Sequence, residues 1–427
     1  MSAAHLRPEG HLLIVGAGLA GYHTARGVRT AGHTGPITIF GEENRPAYDR
    51  PALSKAYLTG AVGEEELLLD DPQDPLEVTW ASGAGVTGLS EQPLGVRTED
   101  GAFHAGDAVV IATGASALSL PPVSAGAGRV PGGRPYVLRT MEDALALRET
   151  NLEGADVVVV GGGFLALEAA ATCTERGAGS VAVVAGEEHP GARRLGRPVG
   201  EAIRAAHELR GVRFASASRA QAVSSCQTGQ EVLLASGETV PGDVVISAIG
   251  AQPRTEWLIG SSVTLAMHDA AVLCDDTGMT AVPGVYAAGD CAQWASHSSG
   301  LRPVGHWQEA VEEAAVVAAA LTGADPVPLQ EPYFWSDQFD LRIQGAGRIH
   351  LANEVTVAGG TPEQGDLLVS YSRNGHEVGI LGINRLRDVT RWRKRRRIPR
   401  AEAASSVSSV SSVASVSPSV RNVSMPA

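Results

Sequence analysis

Two short stretches constrain this chain more than any others: Leu12 to Gly21, LLIVGAGLAG, and Val157 to Glu168, VVVVGGGFLALE. Each is an apolar run that ends in closely spaced glycines and passes into an Ala-rich helical stretch. This is the pattern of a strand, a tight turn and a helix that cradles a dinucleotide. The first glycine of each set, Gly16 or Gly161, permits the tight turn, and the second, Gly18 or Gly163, lets the backbone approach a pyrophosphate. The third place allows close packing of helix on strand; Gly21, after Ala20, holds it in the first copy and Ala166 in the second. The helix N-terminus then faces the phosphates, with Phe164 and Leu165 opening the second helix. One glycine cluster alone reads equally well as an ordinary turn. Two with the same flanks point to two dinucleotide sites.

At 427 residues the chain exceeds one ordinary core, so two or three domains are expected. Glycine, at 51 residues, and a charged fraction of 19% fit a soluble, turn-rich α/β protein. No apolar run reaches the roughly 18 residues of a membrane span, so no membrane partner is expected. The opening MSAAHLRPEG lacks a basic segment followed by an apolar one, which argues against a secretory signal and makes the cytoplasm the expected location. Cys173, Cys226, Cys274 and Cys291 are far apart and form no C-x-x-C pair, so neither a metal site nor a redox dithiol is expected. The formal net charge of -13 argues against a nucleic-acid partner.

Beyond the first turn, Ile37 to Phe40 (ITIF) reads as a second strand, and Glu42 or Glu43 just past it lies where a carboxylate accepts from a dinucleotide's ribose hydroxyls. Arg45 to Leu58, RPAYDRPALSKAYL, is a Pro-containing loop entering a helix, with Arg50 and Lys55 as cations beside the expected pyrophosphate. Val109 to Gly114 and Val285 to Asp290 read as buried strands ending in Thr-Gly and Gly-Asp, and open α/β sheets bind ligands at such ends. Ala117 to Pro135 is rich in Gly and Pro and reads as a crossing between domains.

The order GAGLAG, YDRPALSKAYL, VVIATGA (Val109 to Ala115), VVVVGGGFLALE, TAVPGVYAAGDCA (Thr280 to Ala292) and YFWSDQFDLRIQGAG (Tyr333 to Gly347) resembles the FAD-dependent ferredoxin reductases of bacterial oxygenase systems. The match spans roughly Leu12 to Arg387. The resemblance implies two Rossmann-like domains, for FAD and NAD(P), plus a small α+β C-terminal domain. The expected division is an FAD domain at 8–120 and 248–326, resuming near Gly250, a nicotinamide domain at 121–247 and a C-terminal domain at 327–398. The activity implied is hydride transfer from NAD(P)H to FAD, then single-electron delivery to a small, acidic iron-sulfur ferredoxin serving an oxygenase such as a haem monooxygenase.

By the same resemblance, Asp290, after Gly289, bonds the flavin's ribityl chain and Arg50 contacts the FAD pyrophosphate. Lys55 lies beside the isoalloxazine, with Arg139 and the Ala112, Thr113 and Gly114 turn also near the flavin. Trp335 resembles a flavin-side tryptophan, and the helix from His306 and Trp307 directs its N-terminus at the flavin. Glu168 matches a family Glu near the nicotinamide, and its apolar neighbours favour a partly buried pairing with Lys55. Ala185 stands where many relatives carry the Glu that selects NAD, while Glu187, Glu188, Arg193 and Arg194 follow; the residues leave the nucleotide open and the resemblance favours NADH. Gly305 and Glu309 depart from the family's Glu and Asn.

Arg391 to Arg400 (RWRKRRRIPR) is a basic cluster in an acidic protein and could steer an acidic ferredoxin. The Ser/Val-rich tail at 399–427 is expected to be disordered. Monomer and dimer are both open. So are two rival functions: an NAD(P)H oxidase or flavin reductase, although the loop after Lys55 lacks the reactive Cys usual there, and a non-enzymatic FAD protein switched by nucleotide binding.

Overall fold

The computed structural model describes residues 5–123, 130–215, 217–226, 229–296, 300–303, 306–362 and 365–398. Gly305, the centre of the Gly/Pro-rich crossing, the end of the basic run at Pro399 and Arg400, and the Ser/Val-rich tail lie outside the described residues.

The chain opens with β1 (Leu12–Val15), α1 (Leu19–Thr30), β2 (Ile37–Gly41), β3 (Thr79–Ser82) and β4 (Ala108–Ile111), then a short strand β5 (Ala115–Ala117). A helix α2 (Met141–Glu149) precedes β6 (Asp156–Val160), α3 (Phe164–Glu175), β7 (Ser180–Val184), α4 (Arg197–Glu208), β8 (Val212–Phe214) and β9 (Val244–Ser247). The chain returns through β10 (Ala251–Pro253) to β11 (Val285–Ala287) and α5 (Trp307–Thr322). It ends with β12 (Tyr333–Gln338), β13 (Leu341–Gly347), β14 (Glu354–Thr361), β15 (Asp366–Arg373), β16 (His376–Ile383) and α6 (Leu386–Arg396).

Two parallel sheets follow from the two glycine turns. The first has the order β11-β4-β1-β2-β3 and the second β8-β7-β6-β9. Parallel strands covered on both faces must be apolar throughout, and LLIV of β1, AVVI of β4 and the four valines of β6 are buried without interruption. Helix α1 packs closely on α5 because Gly27 has no side chain where Ala318 approaches. The expected helix and strand pattern is thus present, with His306 as the N-cap of α5.

Strands β5 and β10 pair antiparallel where the chain leaves the first sheet region and re-enters it. The apolar core does not stop there: Tyr57 and Leu58 share one cluster with Met141, Leu147, Val157, Ala166 and Ala169. Helix α2 was not among the expected elements, although its start is written in the sequence. Thr140 accepts from the Asp143 amide at 3.2 Å while the Asp143 carboxylate accepts from the Thr140 amide at 2.9 Å, a reciprocal N-terminal cap.

The C-terminal strands form one antiparallel sheet, β12-β13-β16-β15-β14. One face buries Ile343, Leu367, Val369 and Leu381 against Val199 and Ile203 of α4, and the Tyr371 hydroxyl donates to the Leu195 carbonyl at 2.6 Å. Val389 and Trp392 of α6 pack with Ala346 and Ile380. The Trp392 indole is buried and donates to Glu377 at 2.6 Å. Trp392→Ala is therefore expected to destabilise the protein by about 3–5 kcal/mol. Thermal unfolding checks it, and a midpoint within a degree or so of wild type would show that α6 is not anchored by this side chain.

Candidate functional site

The first glycine turn opens a cleft of about 960 Å³ at the C-terminal ends of the first sheet's strands. Gly16 has a φ of 123°, and a Cβ there would overlap the Ala112 carbonyl, so only glycine lets β1 turn beneath the β4 end. A Cβ at Gly21 would overlap the Gly16 carbonyl, which is the close helix-on-strand packing expected of the third position. Gly18 caps α1 without any side-chain acceptor and faces open space. The amides of the first turn therefore look into the cleft with room for an anionic group, as a bound pyrophosphate requires. Gly163 repeats this arrangement at the start of α3.

The cleft wall carries Gly16, Gly18, Ala20, Glu42, Glu43, Arg50 and Lys55 from the first part of the chain. Ala112, Thr113, Gly114, Arg139, Gly289, Asp290, His306, Trp307 and Trp335 continue it, and Phe164, Leu165 and Glu168 enter from the second. Gly21 and Gly161 lie beneath their turns, off this wall, and Gly163 caps the neighbouring helix. Gly250 lies at the strand crossing, where its carbonyl accepts from Leu118 at 2.9 Å. Helix α5 starts at the cleft, with Glu309 buried in its first turn.

Arg50, Arg139 and Arg254 of the cleft are matched by acids. Arg50 donates to Glu43 at 2.6 Å, to the Tyr48 hydroxyl at 3.0 Å and to the Arg139 carbonyl at 2.7 Å. Tyr48 donates to Glu43 at 2.6 Å. Burial pushes the Glu43 carboxyl up, but the Arg50 charge and the hydrogen bonds from Tyr48 and Arg50 outweigh it and hold the group below its ordinary range. Burial is also the main cause that raises the Tyr48 phenol. Glu42, on the strand end, pairs with Arg254 from beyond β10. Arg139 pairs with Asp290 at 2.7 Å. These groups fit FAD: anion-seeking amides and Arg50 for phosphates, carboxylates at the strand ends for hydroxyls, and the rings of Trp307 and Trp335 for an aromatic partner.

Lys55 and Glu168 meet as expected, with Nζ 3.0 Å from Oε1. Glu168 is buried, and two hydroxyls complete its shell: Ser54 donates to Oε2 at 2.7 Å and Ser336 donates to Oε1 at 2.6 Å. The Trp307 indole donates to Asp49 at 2.7 Å, and burial raises the Asp49 carboxyl. Trp307 lies edge-on to Trp335 at 6.1 Å, Trp335 stacks on Tyr333 at 6.1 Å, and the Arg393 guanidinium covers Tyr333 at 3.8 Å. Tyr48, Ser54, Arg254 and Ser336 had not been singled out from sequence. Tyr48 and Ser54 belong to the YDRPALSK stretch, whereas Arg254 carries no local signal at all.

At the second turn, Ala185 is buried behind Gly162. Glu187 comes within 3.8 Å of a Cβ built on Gly162, and its carboxylate accepts from the Gly191 amide at 2.9 Å and the Arg193 amide at 3.1 Å. Arg193 and Arg194 are exposed, and Arg193 turns toward Glu187 at 3.5 Å.

Two family models match the chain: pyridine nucleotide-disulphide oxidoreductase over residues 10–314 and reductase C-terminal over residues 333–410. The chain belongs to the pyridine nucleotide-disulphide oxidoreductase family. Within it, the chain is 32% identical over 380 residues to the ferredoxin reductase component of chlorobenzene dioxygenase from Cupriavidus sp. (strain PS12), an alignment covering 88% of this chain and 90% of that one. It is 31% identical over 381 residues to the ferredoxin–NAD(+) reductase subunit of the benzene 1,2-dioxygenase system of Pseudomonas putida, covering 88% and 90%. Among solved structures, the covalent putidaredoxin reductase–putidaredoxin complex matches with a TM-score of 0.82 at 27% identity, over 90% of this chain and 92% of that chain. A ferredoxin reductase from Rhodopseudomonas palustris matches with a TM-score of 0.81 at 28% identity, over 92% and 97%.

Cys173, Cys274 and Cys291 are free and buried, and no group of three metal-binding side chains occurs among the described residues. Burial raises the Cys173 thiol to about 12 and the Cys291 thiol to about 11, and raises Cys274 as well. At pH 8 these three thiols are expected to resist alkylation in the folded protein and to react on unfolding, as peptide mapping by mass spectrometry would read. Rapid modification of any of the three in the native state would contradict the burial.

Proposed function

We propose that the chain is an FAD-dependent NAD(P)H:ferredoxin reductase of an oxygenase system, with the first turn holding FAD and the second admitting the nicotinamide dinucleotide. When bound, FAD supplies the conversion of a two-electron hydride from the nicotinamide into single electrons for an iron-sulfur centre. The observation that carries the reading is the Lys55–Glu168 pair, in which a residue of the first cleft and a residue of the second dinucleotide helix are joined at 3.0 Å.

The chain's own residues would bind and orient. The amides of α1 and Arg50 would face the pyrophosphate, and Glu42, held by the single cation Arg254 where Glu43 is held by both Arg50 and Tyr48, would exchange that partner for the adenosine ribose hydroxyls. Asp290 turns from Arg139 to the ribityl hydroxyls. Lys55 places an ammonium beside the isoalloxazine, where it favours the added negative charge of the reduced state, and Glu168 and Phe164 shape the nicotinamide approach. The division into an FAD region at 8–120 and 248–326, a nicotinamide region at 121–247 and a C-terminal region at 327–398 is supported by the parallel sheets, the β5/β10 crossing and the antiparallel sheet.

NADH is the proposed reductant. Glu187 reaches the glycine turn in place of an acid at Ala185, and an acceptor there suits a 2'-hydroxyl and repels a 2'-phosphate. The acidic ferredoxin is proposed to dock where Trp335 and Tyr333 lead from the cleft to α6. That helix presents Arg391, Lys394, Arg395 and Arg396 to solvent. A cytoplasmic location is in keeping with three free, buried thiols.

Anaerobic addition of NADH to the FAD-loaded protein is expected to bleach the flavin within seconds and, with a ferredoxin present, to reduce cytochrome c. The kcat/KM for NADH is expected to exceed that for NADPH at least about tenfold. A flavin that stays oxidised under excess of both nucleotides would overturn the reading. Replacing Arg391, Lys394 and Arg395 together by Gln is expected to slow ferredoxin reduction at low salt and flatten its salt dependence, with NADH-driven flavin reduction unchanged. A salt dependence identical to wild type would move the docking face elsewhere.

A further inference from the structure

We propose that Ser336 and Gln338, with His207 behind them, are positioning residues that hold the Lys55–Glu168 pair through a line of hydrogen bonds with only one possible direction. The proposal rests on the reading of this cleft as the flavin and nicotinamide site.

Alternate side chains of a strand share a face. On β12, Ser336 and Gln338 are both fully buried, between α3 and α4, while Trp335 and Asp337 take the opposite face. Ser336 lies 2.6 Å from Glu168 on α3, Gln338 Nε2 lies 3.0 Å from Ser336 Oγ, and Gln338 Oε1 lies 3.0 Å from His207 Nε2 on α4. The line thus runs from the nicotinamide-side helix, along the C-terminal strand, back to another helix of the second sheet.

The hydrogen inventory fixes its polarity. A carboxylate only accepts, so the hydrogen between Ser336 and Glu168 is the serine's single hydroxyl hydrogen. With that hydrogen committed, Ser336 Oγ accepts from the Gln338 amide nitrogen. Gln338 must then turn its carbonyl to His207, and His207 Nε2 must carry a hydrogen. Burial lowers the His207 imidazole to about 4, so near neutral pH the ring has one N–H, and it is this one. Nδ1 is correspondingly without a hydrogen-bond partner among the described residues. A flipped Gln338 amide would ask Ser336 to donate in two directions at once, which one hydroxyl hydrogen does not allow.

Every donor in the line therefore points toward Glu168, and the line ends on Oε1, the same oxygen that Lys55 contacts. Ser54 holds Oε2 at 2.7 Å from the other side. Removing the Ser336 hydroxyl leaves Oε1 to Lys55 alone. The ammonium is then drawn more fully onto Glu168, and less positive potential reaches the flavin position. Ser336 and Gln338 in this way tune a charge pair made by the other two parts of the chain, without themselves lining the cleft.

The test uses the FAD-loaded full chain and the variants Ser336→Ala, Ser336→Thr and Gln338→Glu, mixed anaerobically with NADH in the absence of ferredoxin. Ser336→Ala is expected to lower the limiting rate of flavin reduction about tenfold, the size of one hydrogen bond to a carboxylate, with the half-saturating NADH concentration little changed. The flavin midpoint potential, measured without nucleotide, is expected to become more negative. Ser336→Thr keeps the hydroxyl and is expected to restore both. Gln338→Glu is expected to resemble Ser336→Ala, because a carboxylate at 338 captures the serine's hydrogen. Wild-type rate and potential in Ser336→Ala would overturn the proposal, as would a defect that Ser336→Thr fails to rescue and that tracks the loss of thermal stability. If neither nucleotide reduces the wild-type flavin, the reductase reading fails instead, and the midpoint potentials of the three variants still decide the positioning role.

Discussion

The buried carboxylate of Glu168 is the point on which the arrangement of this protein depends. An ion buried in protein is costly unless it is paired and hydrogen-bonded, and removing one partner of such a pair costs about 3–5 kcal/mol. Here the partners come from separate parts of the chain: Lys55 and Ser54 from the first cleft and Ser336 from the C-terminal sheet. The Thr172 hydroxyl adds a second tie, donating to the Ser54 carbonyl at 2.8 Å. Satisfying one carboxylate therefore requires the first glycine turn, the second glycine turn and β12 to take up one mutual placement. That placement sets Lys55 of the first cleft beside the helix that follows the second glycine turn.

The same economy of charge governs the rest of the cleft. Arg50 is held by Glu43, Arg139 by Asp290 and Arg254 by Glu42. A dinucleotide entering such a site exchanges partners with groups already ordered; it does not have to organise loose side chains. Ordering entropy is thus met at folding, and less of it opposes binding. From the cleft wall, Trp307 and Trp335 lead through Tyr333 to α6, so the strand whose Ser336 bonds Glu168 on one face carries aromatic rings on the other.

How much of this could be read from the sequence depended on how local each feature was. Strands β1, β4 and β6 were legible because parallel strands buried on both faces must be continuously apolar, and Gly16 and Gly161 because only glycine turns there without overlap. Lys55 and Glu168 were legible only through resemblance to a family, since a lysine in a loop and a glutamate on a helix are ordinarily solvated. Ser336 and Gln338 were not legible. Their partners lie 168 and 131 residues away in sequence, and a serine in a strand looks the same whether it faces water or a buried carboxylate. Arg254 escaped for the same reason, because folding rather than spacing brings it to Glu42, whereas Tyr48 lies five residues from Glu43 inside a stretch whose charged residues drew the reading. Helix α2 was missed for a smaller one: its Thr140 to Asp143 cap follows a Gly/Pro-rich stretch that reads as a loop throughout.

The claim at the centre of this account is that the two nucleotides meet at the Lys55–Glu168 pair. The structure of the FAD-loaded protein with NAD+ bound measures this directly. The account predicts a nicotinamide ring against the isoalloxazine, bordered by Glu168, with Lys55 still within hydrogen-bond distance of both the carboxylate and the flavin edge. A nicotinamide seated away from Glu168, or a Lys55 turned out of the cleft in that complex, would contradict it.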